Sequence, residues 1–148
     1  MRLAKLHITL ALFMITCIVD AQSNFQTSEF KLIAATIQDY IDGTANGEPE
    51  KLRNAFHPDF NLYTVSEDSL RIRSGANYID NIKPGDKANR LGRIISIDYE
   101  KDAAIAKAEI IVPGWRIFTD YFLLLKYQGS WKIVQKSYTW KPYPKENK

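Results

Sequence analysis

The sequence predicts a single α+β domain in which short helices pack on one face of a curved antiparallel sheet. In the N-terminal half, apolar residues recur at helical spacing between glycine and proline breaks. In the C-terminal half, apolar and polar residues alternate over long runs, which is typical of half-buried strands. A chain of 148 residues without repeats or a linker segment accommodates one such domain.

Residues 1–21 have the three-part layout of a signal peptide. Two basic residues precede an apolar run over residues 8–19, and Ala21 provides a small residue for cleavage. The apolar run is shorter than the ~20 residues that a stable membrane span needs. We therefore predict that the mature domain covers residues 22–148 and is exported to the periplasm or the extracellular space.

Cysteine and histidine content excludes several classes of site. The single cysteine, Cys17, lies in the signal segment, and lipid anchoring through it is the less favoured alternative because Thr16 is larger than the usual preceding residue. After cleavage the chain has no thiol, and His57 is its one histidine. Disulfides, cysteine zinc sites and paired-histidine metal sites are therefore excluded, and we expect neither a metal nor a cofactor.

The charge pattern argues against a nucleic-acid partner. The formal net charge is +3, and the basic residues are interspersed with acidic ones along the whole length. A nucleic-acid-binding domain instead concentrates lysine and arginine on one face. Hydrophobic residues make up 45% and charged residues 25%, close to the globular average, so the chain can bury a core.

Three helices are predicted in the N-terminal half. The first covers residues 30–41, with Gly43 as its stop signal. The second begins at Pro49, which suits a first turn, and ends before Pro58, because the residue preceding a proline disfavours helical geometry. The third covers residues 74–83 and is broken by the proline and glycine that follow.

Strands are predicted where β-branched or aromatic residues alternate with polar ones between turn signals. A short pair comes first and is followed by a meander of long strands. They cover residues 60–65, 70–73, 90–100, 104–112, 116–127 and 131–140.

The last two predicted strands meet at Gln128, Gly129 and Ser130. A three-residue loop with Gly129 in the left-handed conformation sets their register. The expected cross-strand pairs are Tyr127–Trp131, Leu124–Val134, Phe122–Lys136, Asp120–Tyr138 and Phe118–Trp140. One face of this hairpin is then apolar and aromatic, interrupted by one acid, Asp120, and one base, Lys136.

Four segments resemble the putative lumazine-binding family of the nuclear transport factor 2-like superfamily: Ile37–Gly43, Leu52–Asp59, Thr119–Lys126 and Gly129–Lys136. The resemblance implies a cone-shaped, cystatin-like α+β half-barrel, with three helices around a bent sheet and a pocket in its open end. Relatives in the superfamily include ketosteroid isomerases, scytalone dehydratases and polyketide cyclases, together with members that have no chemistry. Fold analogy therefore implies a pocket without naming a reaction.

The hairpin face supplies the candidate ligand-binding residues. Asp120 is a general base or hydrogen-bond acceptor and Lys136 is a partner for an anion or a carbonyl, because neither charge is buried cheaply without a partner. The aromatic walls are Phe118, Phe122, Tyr138 and Trp140. The alternative interpretation is a structural ion pair under a packed sheet.

Three functions remain open from the sequence. The favoured one is an exported, non-catalytic domain that binds a small, partly apolar molecule. The second is a dehydratase- or isomerase-like enzyme that uses Asp120 with His57, although isomerase chemistry commonly needs two acids of separated pKa and this face has one. The third is a homodimeric interaction module with a filled pocket. A cavity below ~300 Å³ favours this last function.

Overall fold

The structure, a computed structural model, describes residues 28–145. The chain divides after Leu32 into two compact units, and all packing discussed below lies within the second unit, from Ile33 onward. The predicted signal peptide and Cys17 lie outside the described residues.

The first helix, α1, covers residues 28–46, three residues beyond the predicted stop at Gly43. The prediction was wrong because Gly43 serves packing instead of termination. A Cβ at this position would lie 2.8 Å from Cδ2 of Leu52, so the missing side chain lets the second helix approach. The helix ends before Gly47, whose φ of 65° is left-handed. Its buried face consists of Ile33, Ile37, Tyr40 and Ile41.

Two shorter helices follow. The second, α2, covers Pro49–Ala55 and has its proline in the first turn, as predicted. The third, α3, covers Gly75–Asp80 and is shorter than the predicted 74–83. No helix within residues 28–145 is long and apolar enough to cross a membrane.

The strands form one sheet with the order β2-β1-β6-β5-β4-β3. Their bounds are β1 Phe56–Ser66, β2 Ser69–Ser74, β3 Leu91–Glu100, β4 Ala103–Val112, β5 Arg116–Tyr127 and β6 Ser130–Pro142. Four of the neighbouring pairs are antiparallel, but β1 and β6 run parallel, so the sheet is not purely antiparallel as predicted. The chain leaves the β1–β2 hairpin, enters the far edge at β3, and returns by a meander to β1.

The turn between β5 and β6 has two residues and not the predicted three. Tyr127 pairs with Ser130, so the predicted Tyr127–Trp131 pair is wrong. Gln128 and Gly129 both have positive φ, 49° and 79°. Such a turn matches the right-handed twist of the strands that it joins.

A β-bulge in β6 then restores the predicted register. Leu124 pairs with Ile133 instead of Val134, whereas Leu123 pairs with Gln135, so Val134 is the extra residue. The bulge compensates for the shorter turn. The predicted pairs beyond it are confirmed, namely Phe122–Lys136, Asp120–Tyr138 and Phe118–Trp140.

Gly47 also joins α1 to the loop that follows α3. Its carbonyl oxygen accepts a hydrogen bond from the N–H of Gly85 at 2.8 Å. A Cβ on Gly47 would lie 2.5 Å from the backbone nitrogen of Asp86 and 2.6 Å from the carbonyl oxygen of Lys83. Backbone atoms cannot move aside as a flexible side chain can, so this contact requires glycine.

We expect Gly47→Ala to destabilise the fold more than Gly85→Ala. Both glycines have left-handed φ, 65° and 76°, so both substitutions carry a strain cost of about 1–2 kcal/mol. Gly85 has open space around it, whereas Gly47→Ala adds a collision worth about 1–3 kcal/mol. Urea unfolding of the two variants measures the difference, and equal losses would contradict the close approach at Gly47.

Candidate functional site

Hydrogen-bonded pairing places the candidate residues in rows across the inner face of the sheet, the face that carries the buried side chains. One row runs through Arg73, Leu62, Lys136, Phe122 and Ala106, from β2 to β4. The next two rows, farther along the strands, are Tyr138–Asp120–Ala108 and Trp140–Phe118–Ile110. The parallel β1–β6 pairing therefore brings Arg73 into the same row as Lys136.

Asp120, Lys136 and Tyr40 form a buried polar cluster. Oδ2 of Asp120 accepts hydrogen bonds from the Tyr40 hydroxyl at 2.6 Å and from Nζ of Lys136 at 2.7 Å. Lys136 also donates to the Tyr40 oxygen at 2.8 Å. Asp120 is 0% and Lys136 5% exposed. Oδ1 of Asp120 is buried and has no hydrogen-bond partner in the part of the chain that the structure describes.

Burial and charge act against each other within this cluster. Burial lowers the pKa of Lys136, while the Asp120 carboxylate acts to raise it. Burial, followed by the charge of Asp120, raises the pKa of Tyr40 well above its usual value. The lysine ammonium also lies 4.8 Å from the ring centroid of Tyr40 and 4.9 Å from that of Tyr138. These cation–π contacts replace part of the hydration that burial removes.

The cluster borders a cavity of about 410 Å³. Asp120 and Lys136 lie in its wall together with the predicted aromatic residues Phe118, Tyr138 and Trp140. The volume exceeds the ~300 Å³ below which a filled pocket is favoured, and it lies within the usual range of small-molecule sites.

Phe122 does not line this cavity, although the register places it on the correct face. It is 2% exposed, and its ring packs edge-to-face against Tyr40 with 5.1 Å between the ring centroids. Tyr40 of α1 packs over the row that contains Phe122 and Lys136. The phenylalanine ring is therefore buried under the helix, whereas the longer lysine side chain reaches the cavity. Phe122 therefore supports the cluster from the core.

His57 lies in a different recess from Asp120. That recess has a volume of about 260 Å³ and is lined by residues of α2, β1 and α3. Nδ1 of His57 accepts a hydrogen bond from the backbone N–H of Asp59 at 3.2 Å, and its ring contacts Tyr127 with 5.0 Å between the centroids. The proposed His57–Asp120 pair is therefore not formed, because β1 carries the histidine away from the hairpin face.

Four residues of the site were missed by the sequence reasoning. Tyr40 is not among the candidates that the sequence supplied, although a hydroxyl on an otherwise aliphatic helix face signals a polar partner. Arg73, Arg90 and Arg116 also line the cavity, and they come from three separate segments. The pairing of strands across the whole sheet brings them together, and for Arg73 this includes the parallel β1–β6 pair, which the sequence does not show.

No group of three or more histidine, cysteine, aspartate or glutamate side chains within residues 28–145 has the arrangement of a metal site. The cavity wall includes charged, polar and aromatic side chains. It provides an unpaired carboxylate oxygen, cationic groups and aromatic surfaces.

Comparison with known sequences connects this architecture to a family. Residues 28–139 match the model of the family described as "Putative lumazine-binding". A protein named "Aldolase FrzH" from Cladobotryum sp is 25% identical over 112 residues, which cover 74% of this chain and 90% of that protein.

Solved structures share the fold. An NTF2-like protein of unknown function from Silicibacter pomeroyi superposes with a TM-score of 0.69 at 21% identity, covering 78% of this chain and 98% of that one. One from Methylobacillus flagellatus has a TM-score of 0.68 at 28% identity, covering 77% and 93%. A cystatin-like domain from Nostoc punctiforme has a TM-score of 0.59 at 18% identity, covering 79% and 80%. The predicted α+β fold class is confirmed.

We expect Lys136→Met to lower the free energy of unfolding by about 3–5 kcal/mol, because it leaves the Asp120 carboxylate buried without its cation. The double variant Asp120→Asn/Lys136→Met removes both charges and should recover a large part of that loss. Lys141→Met, at an exposed position of the same strand, is the matched control. Urea unfolding provides the values, and additive losses in the double variant would mean that the two charges are not coupled.

We expect the wild-type protein to lose stability between about pH 10 and 12 by ~1–2 kcal/mol more than Tyr78→Phe. Burial, followed by the charge of Asp120, raises the pKa of Tyr78 from 10.0 to about 12. The folded state then binds the proton more tightly, so this contribution is complete below pH 10 and disappears as pH rises through 12. Urea unfolding at several alkaline pH values tests it, and parallel stability curves would show that the Tyr78 hydroxyl titrates normally.

Proposed function

Because the chain belongs to the family described as "Putative lumazine-binding" and has an NTF2-like fold, we propose that it binds a small, partly apolar molecule in the 410 Å³ cavity without transforming it. One observation carries this proposal. Asp120 is fully buried at the cavity wall, and its Oδ1 atom has no hydrogen-bond partner among the described residues.

An unpaired buried acceptor is costly, at about 1–3 kcal/mol, and proteins rarely retain one. A ligand N–H or O–H that donates to Oδ1 recovers this cost while leaving both bonds to Oδ2 in place. The neighbouring surfaces of Phe118, Tyr138 and Trp140 offer aromatic contact to the rest of such a molecule. Ligand pockets usually combine mostly apolar or aromatic walls with a few polar groups that orient the ligand.

The arrangement of charge favours binding over acid–base catalysis. Asp120 is the one acid that lines the cavity among the described residues, and its Oδ2 atom already accepts hydrogen bonds from Tyr40 and Lys136. Isomerase chemistry commonly uses a second group of well-separated pKa. His57 does not supply it, because it lies in the other recess.

A second candidate function is carbonyl chemistry. The buried Lys136, whose pKa is lowered by burial, and the relative named as an aldolase favour it. In its neutral form the Lys136 amine would attack a carbonyl carbon and release water, which leaves an imine. Borohydride reduces such an imine to a stable amine. Intact-mass and peptide analysis after incubation with glycolaldehyde and borohydride distinguishes this candidate, because selective labelling of Lys136 over exposed lysines would favour the enzyme.

Export and self-association are further proposals. The signal-like layout of residues 1–21 supports export, and sequencing the N terminus of the exported protein tests cleavage after Ala21.

On β5, the exposed residues Tyr121, Leu123 and Leu125 alternate with buried ones, so they form an apolar strip on the opposite face of the sheet. This strip supports a homodimer, which light scattering across a concentration series tests.

Binding of small aromatic compounds should depend on Asp120 and not on His57. With a panel of neutral and charged compounds that includes lumazine, we expect saturable quenching of Trp115 and Trp140, which both line the cavity. Asp120→Asn should weaken binding about tenfold, the value of a hydrogen bond to a charged group, whereas His57→Ala should change it less than twofold. If no compound binds, or if both variants bind like wild type, the cavity is not the binding site.

A further inference from the structure

The cavity wall has more positive than negative charge. Arg73, Arg90, Arg116 and Lys136 line it, with Asp120 as the one acid among the described lining residues. Asp120 forms an ion pair with Lys136, and none of the three arginines is in an ion pair within residues 28–145. Three guanidinium groups without a counter-charge among the described residues therefore line one cavity, so its wall has a net positive charge.

Arg90 carries a second unsatisfied polar atom, independent of Asp120. It directly precedes β3, and its Nε is buried with no hydrogen-bond partner in the described chain. Guanidinium N–H groups pair with the two oxygens of a carboxylate in a fixed planar geometry. Among the described residues, the cavity wall thus has one buried donor, Nε of Arg90, and one buried acceptor, Oδ1 of Asp120, that lack hydrogen-bond partners.

Arg116 contacts two aromatic rings on another part of the wall. Its guanidinium carbon is 3.6 Å from the ring centroid of Trp140 and 4.5 Å from that of Trp115. Trp115 is 54% and Trp140 45% exposed, so this stack forms the open side of the cavity. The stacked rings hold the charge in place and present flat surfaces to an entering molecule.

We propose that the cavity binds a planar aromatic acid, with its anionic group on the arginines around Arg90 and an N–H or O–H donor on Oδ1 of Asp120. The inference rests on the proposed function and specifies the ligand class of the same site. A neutral ring system would satisfy Asp120 but leave Arg90 and the excess positive charge without a partner. An aliphatic acid would leave the aromatic walls unused.

Matched probes test the two ends of the ligand separately. 4-Hydroxybenzoate has both groups, 4-hydroxybenzamide lacks the negative charge, and benzoate lacks the donor. By isothermal titration calorimetry at low salt, we expect 4-hydroxybenzoate to bind at least tenfold more tightly than either of the other two. Phenyl phosphate is included to show whether a carboxylate or a phosphate is preferred.

Variants show whether the charge preference arises at this wall. Arg90→Gln should reduce the preference for the acid over the amide to less than about twofold, and Arg73→Gln should reduce it in the same direction. Arg93→Gln is the matched control, because Arg93 lies three residues farther along the chain, with an exposed side chain paired to Glu109. Its acid preference should equal that of wild type. Circular dichroism and thermal melting show whether each variant is folded. If Arg90→Gln does not fold, the result for Arg73→Gln decides whether the acid preference arises at this wall.

The outcomes separate this inference from the proposed function. If the amide binds as tightly as the acid and Asp120→Asn weakens both, the cavity is a ligand site but the aromatic-acid assignment is wrong. If the acid preference survives in Arg90→Gln and Arg73→Gln, the anion binds elsewhere and the assignment is also wrong. If neither these probes nor lumazine binds, the proposed function fails as well.

Discussion

The ion pair between Asp120 and Lys136 is the constraint around which the site is built. Two opposite charges at 2.7 Å, nearly without exposure, are tolerable in a core only when their geometry and secondary contacts offset the loss of hydration. Tyr40 supplies these contacts by donating to Asp120 and accepting from Lys136. The position of α1, the register of the last hairpin and the orientation of the free carboxylate oxygen therefore depend on one another.

The surrounding sheet makes this arrangement possible through side-chain size. On β4, opposite the polar cluster, the buried residues are Ala104, Ala106 and Ala108, and the short side chains leave room for α1 to lie close to the sheet. On β3, Gly92 serves the same purpose, since a Cβ there would lie 2.4 Å from Cγ2 of Ile41. Larger residues, Ile110 on β4 and its partner Phe118 on β5, follow farther along the strands and line the cavity.

Local signals in the sequence predicted the elements and the hairpin face. Alternation over β5 and β6 placed Asp120 and Lys136 on one face even though the turn length was wrong, because the bulge at Val134 offset the error. Local signals could not show that β1 and β6 run parallel, since this pairing joins segments that are far apart in the chain. The arginine contribution from Arg73 depends on that pairing.

The same limit explains the assignment of His57 to the site. The resemblance to dehydratases suggested a histidine and an aspartate as a pair, but the fold places the two residues in different recesses. Conversely, glycine is a residue type that often ends a helix, but Gly43 lies within α1 and allows Leu52 of α2 to pack against it. Residue type indicated what each position can do, and tertiary packing determined which of these properties is used.

The bonds of Tyr40 to Asp120 and to Lys136 join residues separated by 80 and 96 positions in the chain. Contacts of such long range require the closure of large loops, which has an entropic cost and slows folding. The cavity wall is therefore incomplete until β6, the most C-terminal strand among the described residues, has taken its place between β5 and β1. A shortened or stalled chain would carry the helices and most of the sheet but no binding site, so occupancy of the cavity reports that the whole domain has folded.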